Sequence, residues 1–501
     1  MSRSDETADA RGATPVLIAM CLGLMLAMFN STLVNVTMPE IGASLHASST
    51  ELQWVATIYT LCYGALLLPG GALGNRLGRR TAFLAGVTVF LAGSLACALA
   101  PSLAFLLVAR ALQGLGAATM LPQTLSILVY EYRNPSARAR AIGIWAGVAS
   151  LGLAAGPVLG GIILSVSTWR AGFALSIVLG LITLVLGVVS IPVSRHPRPD
   201  HAPPVDLVGA ALVALCLTAL VYGLIESAAL GWASPVIISA FVVTGLAAAT
   251  FVWTQYLTAQ HGRQPLMPLE LWRSHGFIAA NLAGVAYFLA FFGILYFYSL
   301  DLQQEQHYSP LATGLAFLPM TIFMALLAPV AGRLAARFGS APVMVAGQVV
   351  AGVGCLLLSL LPDTTSLPDL EWRLAVVGIG AGLMSSPMSN MAVSSVDERH
   401  SSTASAIHNT FRQIGSTLGV AALGPIVGAA VTAAPASQAV AGFGTGLDQA
   451  MQVTALALIL CAMGTYLLTM VRGNEFVAFG DHLTPLAKVR GFSGRDAGTD
   501  R

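Results

Sequence analysis

Two arginines interrupt long apolar stretches of the chain. Arg110 lies in the stretch that begins near Leu103, and Arg412 lies in the one that begins near Thr403. A guanidinium group always carries its charge and offers five N–H donors, so each position predicts a partner or a wet cavity that binds an oxygen-bearing ligand. Snorkelling to a surface is the alternative, but at 1.5 Å per residue Arg110 lies roughly 10 Å and Arg412 about 14 Å from a stretch end. We expect both to face a central cavity.

Other polar and aromatic side chains occur at positions that suit such a cavity. Asn30 lies at nearly the same depth as Arg110, which predicts a hydrogen bond between the two. The aromatic-rich stretch near Phe277 supplies Phe288 and Phe292, and a methionine-rich stretch supplies Met388. Polarizable surfaces of this kind suit varied organic ligands. Packing against lipid is an equally simple explanation for most of the aromatic and methionine residues.

Residues able to bind a transported proton are few. Asp301, Glu305 and His307 follow one apolar stretch, and Glu226 ends another. Histidine is the group in this set that titrates near neutral pH. All four are expected to be solvated rather than buried, because they lie at stretch ends.

Nothing in the sequence indicates a metal, a cofactor or nucleic acid. The six cysteines fall in six different apolar stretches, and no C-x-x-C pair, H-E-x-x-H motif or phosphate-binding loop is present. Basic residues are scattered over many connections and do not form one face, so nucleic-acid binding is disfavoured. A membrane enzyme or an ATP-driven pump is disfavoured on the same motifs.

The elements that must position these residues are membrane helices. The chain is 56% hydrophobic and 9% charged, whereas soluble domains carry roughly 25% charged residues. A helix needs about 20 apolar residues to cross a bilayer, and we predict fourteen such spans in an all-α membrane protein. The spans are predicted to begin near Val16, Leu52, Ala82, Leu103, Ala141, Ala171, Leu207, Pro235, Phe277, Leu311, Pro342, Leu374, Thr403 and Met451.

The distribution of basic residues predicts the orientation. With both termini in the cytoplasm, the outer connections hold only Arg170 and Arg373, and the cytoplasmic segments hold most of the other basic residues. This is the positive-inside pattern of a multi-pass protein of the plasma (inner) membrane. Its expected partners are the lipid bilayer, a small-molecule substrate and, where transport is coupled to them, protons, with the monomer as the functional unit.

Polar linkers divide the chain into two halves with an extra helix pair between them. A weak repeat supports the halves, since residues 332–339 align with residues 71–78, and repeated halves around a central path are a common transporter plan. The predicted segments are a cytoplasmic tail (1–13), a six-helix bundle (14–192), a linker (193–206), the extra pair (207–257), a second linker (258–275), a second six-helix bundle (276–472) and a cytoplasmic tail (473–501).

Glycine motifs indicate close helix contacts. Residues 71–80 combine three glycines with three arginines, which predicts a tight cytoplasmic turn. In the fifth span, Gly152, Gly156 and Gly160 recur every four residues and place bare backbone on one face, while Pro157 should bend the helix. Static packing and a flexing gate are both compatible with this pattern.

These motifs together resemble the major facilitator superfamily, in its fourteen-span drug:proton antiporter branch. The loop Gly71 to Arg80 is similar to G-x-L-x-D-R-x-G-R-R, Arg110 to Gly116 is similar to R-x-x-Q-G-x-G, and Gly152 to Gly161 resembles the antiporter motif. The resemblance adds Trp54 and Gln113 to the cavity residues and implies two six-helix bundles in alternating access. It assigns conformational roles to Gly71, Asn75, Arg76, Gly78, Arg79, Gly114, Gly152, Gly156, Pro157 and Gly160, and tips the fifth span toward a gate.

Two asparagines depart from the family pattern. Asn30 stands where the branch has an acid in D-x-T-x-V-N-V, and Asn75 stands where the loop has one. The resemblance implies secondary active efflux of antibiotics or other drugs, with proton antiport, but these positions lack the usual carboxylates. Fixed positive charge without a mid-membrane acid favours anionic or zwitterionic cargo. The alternatives are an uncoupled, potential-driven exporter of an anionic metabolite and a non-transporting membrane sensor or scaffold.

Overall fold

The structure is a computed structural model that describes residues 3–132, 134–192, 206–261, 265–362, 366–397, 400–435 and 439–471. Within its helices some side chains are outside the description, namely those of residues 3–13, Asn75, Pro135, Ser136, Ala139, Ser402, Ala439, Val440, Met470 and Val471. Most of the predicted linker 193–206 and the predicted tail 473–501 also lie outside the described residues. The prediction for the Asn75 side chain therefore stays a prediction.

The described residues are almost entirely helical. The first eight spans are Arg3–Leu45, Ser49–Leu77, Arg79–Ala98, Leu103–Glu131, Pro135–Val166, Trp169–Ser190, Leu207–Leu230 and Pro235–Gln260. A short 3-10 helix, Leu269–Arg273, precedes span nine, His275–Leu300, which continues as a π-helical turn, Asp301–Glu305. The remaining spans are ten (Pro310–Ala316 and Leu318–Phe338), eleven (Ser340–Leu358), twelve (Leu367–Ser394), thirteen (Ser401–Ala421 and Gly424–Ala433) and fourteen (Ala439–Tyr466, continued by Leu467–Val471).

Length and composition support the membrane assignment. Thirteen of these helices are long and apolar enough to cross a bilayer. Span twelve is long enough at 28 residues, but it is less apolar, because residues 385–390 read Ser-Ser-Pro-Met-Ser-Asn and its first turns carry charge. The predicted all-helical, fourteen-span fold is confirmed.

The two six-helix bundles repeat one packing scheme. In the first, span one packs on spans five and six, span three packs on spans four and six, and span two packs on span four. Adding eight to each number gives the pairs of the second bundle, which are nine with thirteen and fourteen, eleven with twelve and fourteen, and ten with twelve. The same topology therefore occurs twice, as the weak sequence repeat predicts.

The turn between spans two and three is shorter than predicted. Residues 71–77 continue span two as helix, and Gly78 alone makes the turn with φ +89°; Gly339 makes the equivalent turn after span ten with the same φ. Gly71 packs against Pro122 of span four, with 3.5 Å between an ideal Cβ and the proline Cβ. The prediction of a loop over 71–80 was wrong because Gly71 and Gly74 provide close contact with span four and do not form a turn.

The extra helix pair is fastened at its cytoplasmic end by one buried glutamine. Asp206 caps span seven by accepting from the Gly209 backbone N–H at 2.7 Å. Gln255 of span eight donates to the same carboxylate at 2.7 Å and accepts from the Met267 N–H at 3.0 Å. Span seven packs on spans two and thirteen, so the pair lies beside the junction of the two bundles.

The bundles meet at their outer ends and separate toward the cytoplasm along spans five and ten. Gly161 lies against Pro310, and Gly314 lies against Pro157. Gly143 lies on the same face of span five as Gly161, about five helical turns closer to the cytoplasm, yet no described atom comes within 4 Å of an ideal Cβ there. The structure is therefore a cytoplasm-open arrangement.

Candidate functional site

Arg110 lies fully buried in the first bundle. Its Nη1 donates to Gln113 Oε1 at 3.0 Å, its Nε donates to the Val55 carbonyl at 3.4 Å, and its guanidinium carbon lies 4.6 Å from the ring centroid of Tyr59. Nη2 has no partner among the described residues. Arg110 thus sits in a hydrogen-bonded cluster, and the expectation that it faces an open cavity was wrong for this conformation, because spans two and four close over it.

Gln113 connects Arg110 to spans one and three. Its Nε2 donates to Ser94 Oγ at 2.9 Å and to Asn30 Oδ1 at 3.3 Å. Asn30 in turn donates to Ser176 Oγ of span six at 3.0 Å. The predicted direct bond between Asn30 and Arg110 is therefore replaced by a bridge through Gln113, which the i, i+3 spacing on span four places beside the arginine.

This cluster is polar without being acidic. Five spans contribute to it, and among the described residues neither Arg110 nor Arg412 forms an ion pair with a carboxylate. A buried guanidinium without a counter-ion is strongly disfavoured unless hydrogen bonds or a ligand compensate it. The positive charge and the Nη2 without a described partner therefore suit a ligand oxygen once the surrounding helices separate.

Arg412 holds the corresponding charge in the second bundle. It is half-buried, its Nη1 donates to Asn409 Oδ1 at 3.2 Å, and its Nε has no described partner. Its guanidinium carbon lies 4.5 Å from the ring centroid of Phe288, which stacks on Phe292 at 5.9 Å. Two of the predicted pocket aromatics thus support this arginine, while Met388 lies buried in span twelve.

Trp54 and Glu226 contact each other. The indole Nε1 donates to Glu226 Oε1 at 2.8 Å, and the Trp54 ring lies 6.3 Å from that of Tyr222, also on span seven. Trp54 therefore faces the extra helix pair and not the arginine cluster, contrary to its expected cavity position. Glu226 is half-buried, so the expectation of a solvated carboxylate was wrong, because span seven packs on span two at this depth.

The predicted outer acidic group is only partly solvated. Asp301 is buried and accepts from Gln306 Nε2 at 2.6 Å, whereas Glu305 is half-buried and His307 is exposed. The expectation of solvation was wrong for Asp301, because the π-helical turn carries it back into the bundle. Asp448 of span fourteen, which sequence reasoning missed, lies near Tyr298, as does Asp301.

Pro157 has a specific partner in span one. A proline has no N–H, so the carbonyl of Leu153, four residues earlier, loses its helical donor. Thr32 of span one supplies the missing donor, with Oγ1 at 3.1 Å from that carbonyl. Gly156 permits this approach, since an ideal Cβ would lie 2.8 Å from the Leu33 nitrogen.

The other motif glycines and arginines also make contacts between helices. An ideal Cβ on Gly114 would lie 2.6 Å from the Tyr59 carbonyl oxygen, so spans two and four touch through bare backbone. Gly152 and Gly160 pack in the same way on Met28 and Leu33 of span one, at 3.0 and 3.1 Å. Arg79 donates to the Ser126 carbonyl at 2.9 Å, while Arg76 is exposed.

Sequence reasoning missed three polar residues of these clusters. Ser94 and Ser176 complete the network around Gln113, and single serines in apolar stretches are a weak signal. His408 is buried at 3% exposure in span thirteen. Its spacing of four residues from Arg412 places it on the same helix face, and that spacing is visible in the sequence.

Comparison with known proteins agrees with the fold. The family model described as Major Facilitator Superfamily matches residues 20–420. The chain is 33% identical over 411 residues to the methylenomycin A resistance protein of Streptomyces coelicolor, covering 82% of this chain and 85% of that protein. It is 34% identical over 417 residues to the multidrug resistance protein Stp of Mycobacterium tuberculosis, covering 83% and 76%.

A solved structure shares the architecture. A bacterial homologue of the human lysosomal transporter Spinster, crystallised in an inward-facing and unoccupied conformation, superposes with a TM-score of 0.64 at 17% identity, covering 91% of this chain and 97% of that one. At that identity the likeness concerns the fold alone. With the family match, the repeated bundles and the apolar helices, the chain is a multi-pass plasma-membrane protein that belongs to the Major Facilitator Superfamily of transporters.

Proposed function

We propose that the protein exports small organic molecules, such as antibiotics, across the plasma membrane by alternating access, in exchange for protons. The observation that carries this proposal is the pair of arginines within the spans, the fully buried Arg110 and the half-buried Arg412, one in each bundle. A charged side chain inside a membrane span is energetically costly, and such residues mark the paths of substrates or ions. Relatives named for methylenomycin resistance and multidrug resistance support an organic cargo.

The charge around these groups favours an anionic or zwitterionic cargo. Among the described residues, Arg110 has a neutral amide and an aromatic ring as neighbours, and Arg412 has Asn409 and Phe288. A carboxylate accepts bidentate hydrogen bonds from a guanidinium, whereas a cation is repelled by it. The flanking aromatic rings suit the apolar part of such a molecule.

The cytoplasm-open arrangement supports alternating access. Contacts at Gly161 and Gly314 hold spans five and ten together at the outer side, and Gln303 Nε2 donates to the Val36 carbonyl across the same side at 3.0 Å. Export requires these contacts to break while the cytoplasmic ends close. The glycine face and Pro157 of span five are the place where we expect the helix to flex.

An uncoupled exporter driven by the membrane potential is the second candidate. Asn30 in the first-bundle network favours it, because an amide cannot carry a proton across the membrane. An outward-moving anion would gain about 2.3 kcal/mol per charge at 100 mV inside negative. The third alternative, a sensor or scaffold that transports nothing, is separated by the same experiment.

Transport by purified protein in liposomes tests the three possibilities. The probes are ethidium as a cation, norfloxacin as a zwitterion and carboxyfluorescein as an anion, each measured with and without a proton uncoupler. We expect transport of the carboxylate-bearing probes and its loss with uncoupler. Transport that persists with uncoupler supports the uncoupled exporter, transport of ethidium alone contradicts the cargo assignment, and transport of no probe contradicts export itself.

A further inference from the structure

His408 is a buried imidazole without hydrogen-bond partners. Its side chain is 3% exposed, and neither Nδ1 nor Nε2 has a partner among the described residues. A buried polar atom left unpaired carries a free-energy cost, and native structures contain few of them. Both ring nitrogens of His408 are therefore free of protein hydrogen bonds among the described residues.

The imidazole lies between spans nine and thirteen. An ideal Cβ on Gly284 would lie 3.1 Å from His408 Cε1 and 3.2 Å from Arg412 Cγ, so the glycine makes room for both side chains. Asn281, one turn earlier on span nine, is fully buried and leaves its Oδ1 unpaired among the described residues. Two neighbouring helices thus carry unsatisfied polar atoms over the same stretch.

Among the described histidines, His408 is the one that lies deep within a span. The others occupy helix ends or connections, and they are His46, His261, His275, His307 and His400. The described carboxylates of the second bundle lie near its two ends, with Asp397 at the cytoplasmic end and the others in the outer third, namely Asp301, Glu305, Asp369, Glu371 and Asp448. Histidine is the side chain whose ordinary pKa lies closest to neutral pH, and His408 is the described histidine that lies deep within a span.

The charged and titratable groups around His408 are few. Arg412 lies one turn away on the same helix and interacts with Tyr63 of span two and Tyr287 of span nine. Span seven contributes Glu226 at its outer end, where Trp54 binds it. Span twelve has its titratable groups at its outer end and is followed by Asp397 on the cytoplasmic side. Span nine begins with His275, and the neighbouring helix Leu269–Arg273 exposes Glu270 and Arg273.

We propose that His408 binds the proton that this transporter exchanges for its cargo. The inference rests on the proposed function. It assigns the proton to a side chain of the second bundle, because span one of the first bundle has Asn30 where the family has an acid. One ring nitrogen takes a proton from the outside, and the imidazolium returns it to cytoplasmic water after the helices move. In the cytoplasm-open arrangement Arg412 repels a second positive charge one turn away, which favours release on that side.

Transport in liposomes under an imposed pH gradient tests this role, with norfloxacin and carboxyfluorescein as probes. His408→Gln keeps a polar side chain of similar size but cannot take up a proton. We expect the gradient to accelerate wild-type transport at least tenfold, and the acceleration to fall below twofold in His408→Gln. Probe exchange without a gradient should persist, which shows that the variant folds. His400→Gln, at the half-buried start of the same helix, is the matched control and should behave as wild type.

The other possible results separate the role of His408 from proton exchange itself. Full acceleration in His408→Gln overturns the role of His408 and leaves antiport standing. A wild type that transports but ignores the gradient overturns proton exchange and His408 together, while export stands. If His408→Gln does not fold, the nitrogen NMR resonance of His408, assigned by comparing wild type with His408→Asn, decides: no change between pH 4 and pH 9 overturns the proposal.

Discussion

The hydroxyl of Thr32 compensates for the backbone N–H that Pro157 lacks. Thr32 is fully buried, and its Oγ1 lies 3.1 Å from the Leu153 carbonyl, which no helical N–H can reach at that position. Thr32→Val keeps the shape of the side chain and removes the hydroxyl, whose other contacts are the Met28 and Phe29 carbonyls of its own helix, both at 3.4 Å. The bond to Leu153 is the shortest of the three and the one that joins spans one and five.

The expected loss of unfolding free energy in Thr32→Val follows from leaving the Leu153 carbonyl without a hydrogen-bond donor. An unpaired buried acceptor costs about 1–3 kcal/mol in soluble proteins, while hydrogen bonds between membrane helices average about 0.6 and reach about 1.7 kcal/mol. The Leu153 carbonyl has no alternative donor in its own helix, so we expect a loss near the upper membrane value, about 1–2 kcal/mol of unfolding free energy.

Restoring the helical donor should remove most of that loss. In a Pro157→Ala background the Ala N–H donates to the Leu153 carbonyl, and Thr32→Val should then cost less than about 0.5 kcal/mol. The double-mutant coupling is thus about 1 kcal/mol, well above the additivity error of about 0.3–0.5 kcal/mol for independent sites.

Unfolding of the purified protein in mixed micelles by titration with a denaturing detergent, followed by tryptophan fluorescence, measures these differences. Thr88→Val is the matched control, since the exposed Thr88 bonds only to the Leu84 carbonyl of its own helix at 2.9 Å. It should change stability by less than about 0.5 kcal/mol. Equal costs of Thr32→Val with and without Pro157 would refute the assignment of this bond.

Three further outcomes follow from the site. Asn30→Asp should change the pH dependence of transport, since it adds a titratable group to the network of Gln113; a pH profile of probe transport in liposomes that matches the wild type would contradict this. Gly114→Val should abolish folded protein on size-exclusion chromatography, because a Cβ there would lie 2.6 Å from a backbone oxygen of span two, whereas Gly143→Ala should be neutral. Trp54→Phe removes the N–H that binds Glu226 and should lower the unfolding free energy by about 0.5–1.5 kcal/mol in the same detergent titration, and no change would show that this bond contributes nothing.

The sequence predicts the spans well, because apolar length and the cost of unpaired backbone in lipid leave few alternatives to helices. It also identifies Arg110 and Arg412, since charged groups inside apolar stretches are conspicuous, and the resemblance to the family adds Gln113. The structural role of a glycine is harder to predict from the sequence. Gly71 and Gly74 resemble turn residues, yet they provide close packing on span four, and only contacts between helices distinguish these two uses.

Partners of polar side chains were the less predictable part. Trp54 and Glu226 lie far apart in the chain, and nothing in either stretch indicates that span seven packs on span two. Asp301 lies at a stretch end, but the π-helical turn buries it.

The sequence by itself determined the number of helices, the family and the presence of fixed positive charge at mid-membrane depth, because these depend on composition along one helix at a time. Tertiary structure alone decided that Gln113 bridges Asn30 and Arg110, and that Thr32 donates to the Leu153 carbonyl left unpaired by Pro157. It also decided that His408 is buried with no hydrogen-bond partner among the described residues. Each of these is a contact between helices, and its geometry is fixed by packing that no single stretch encodes.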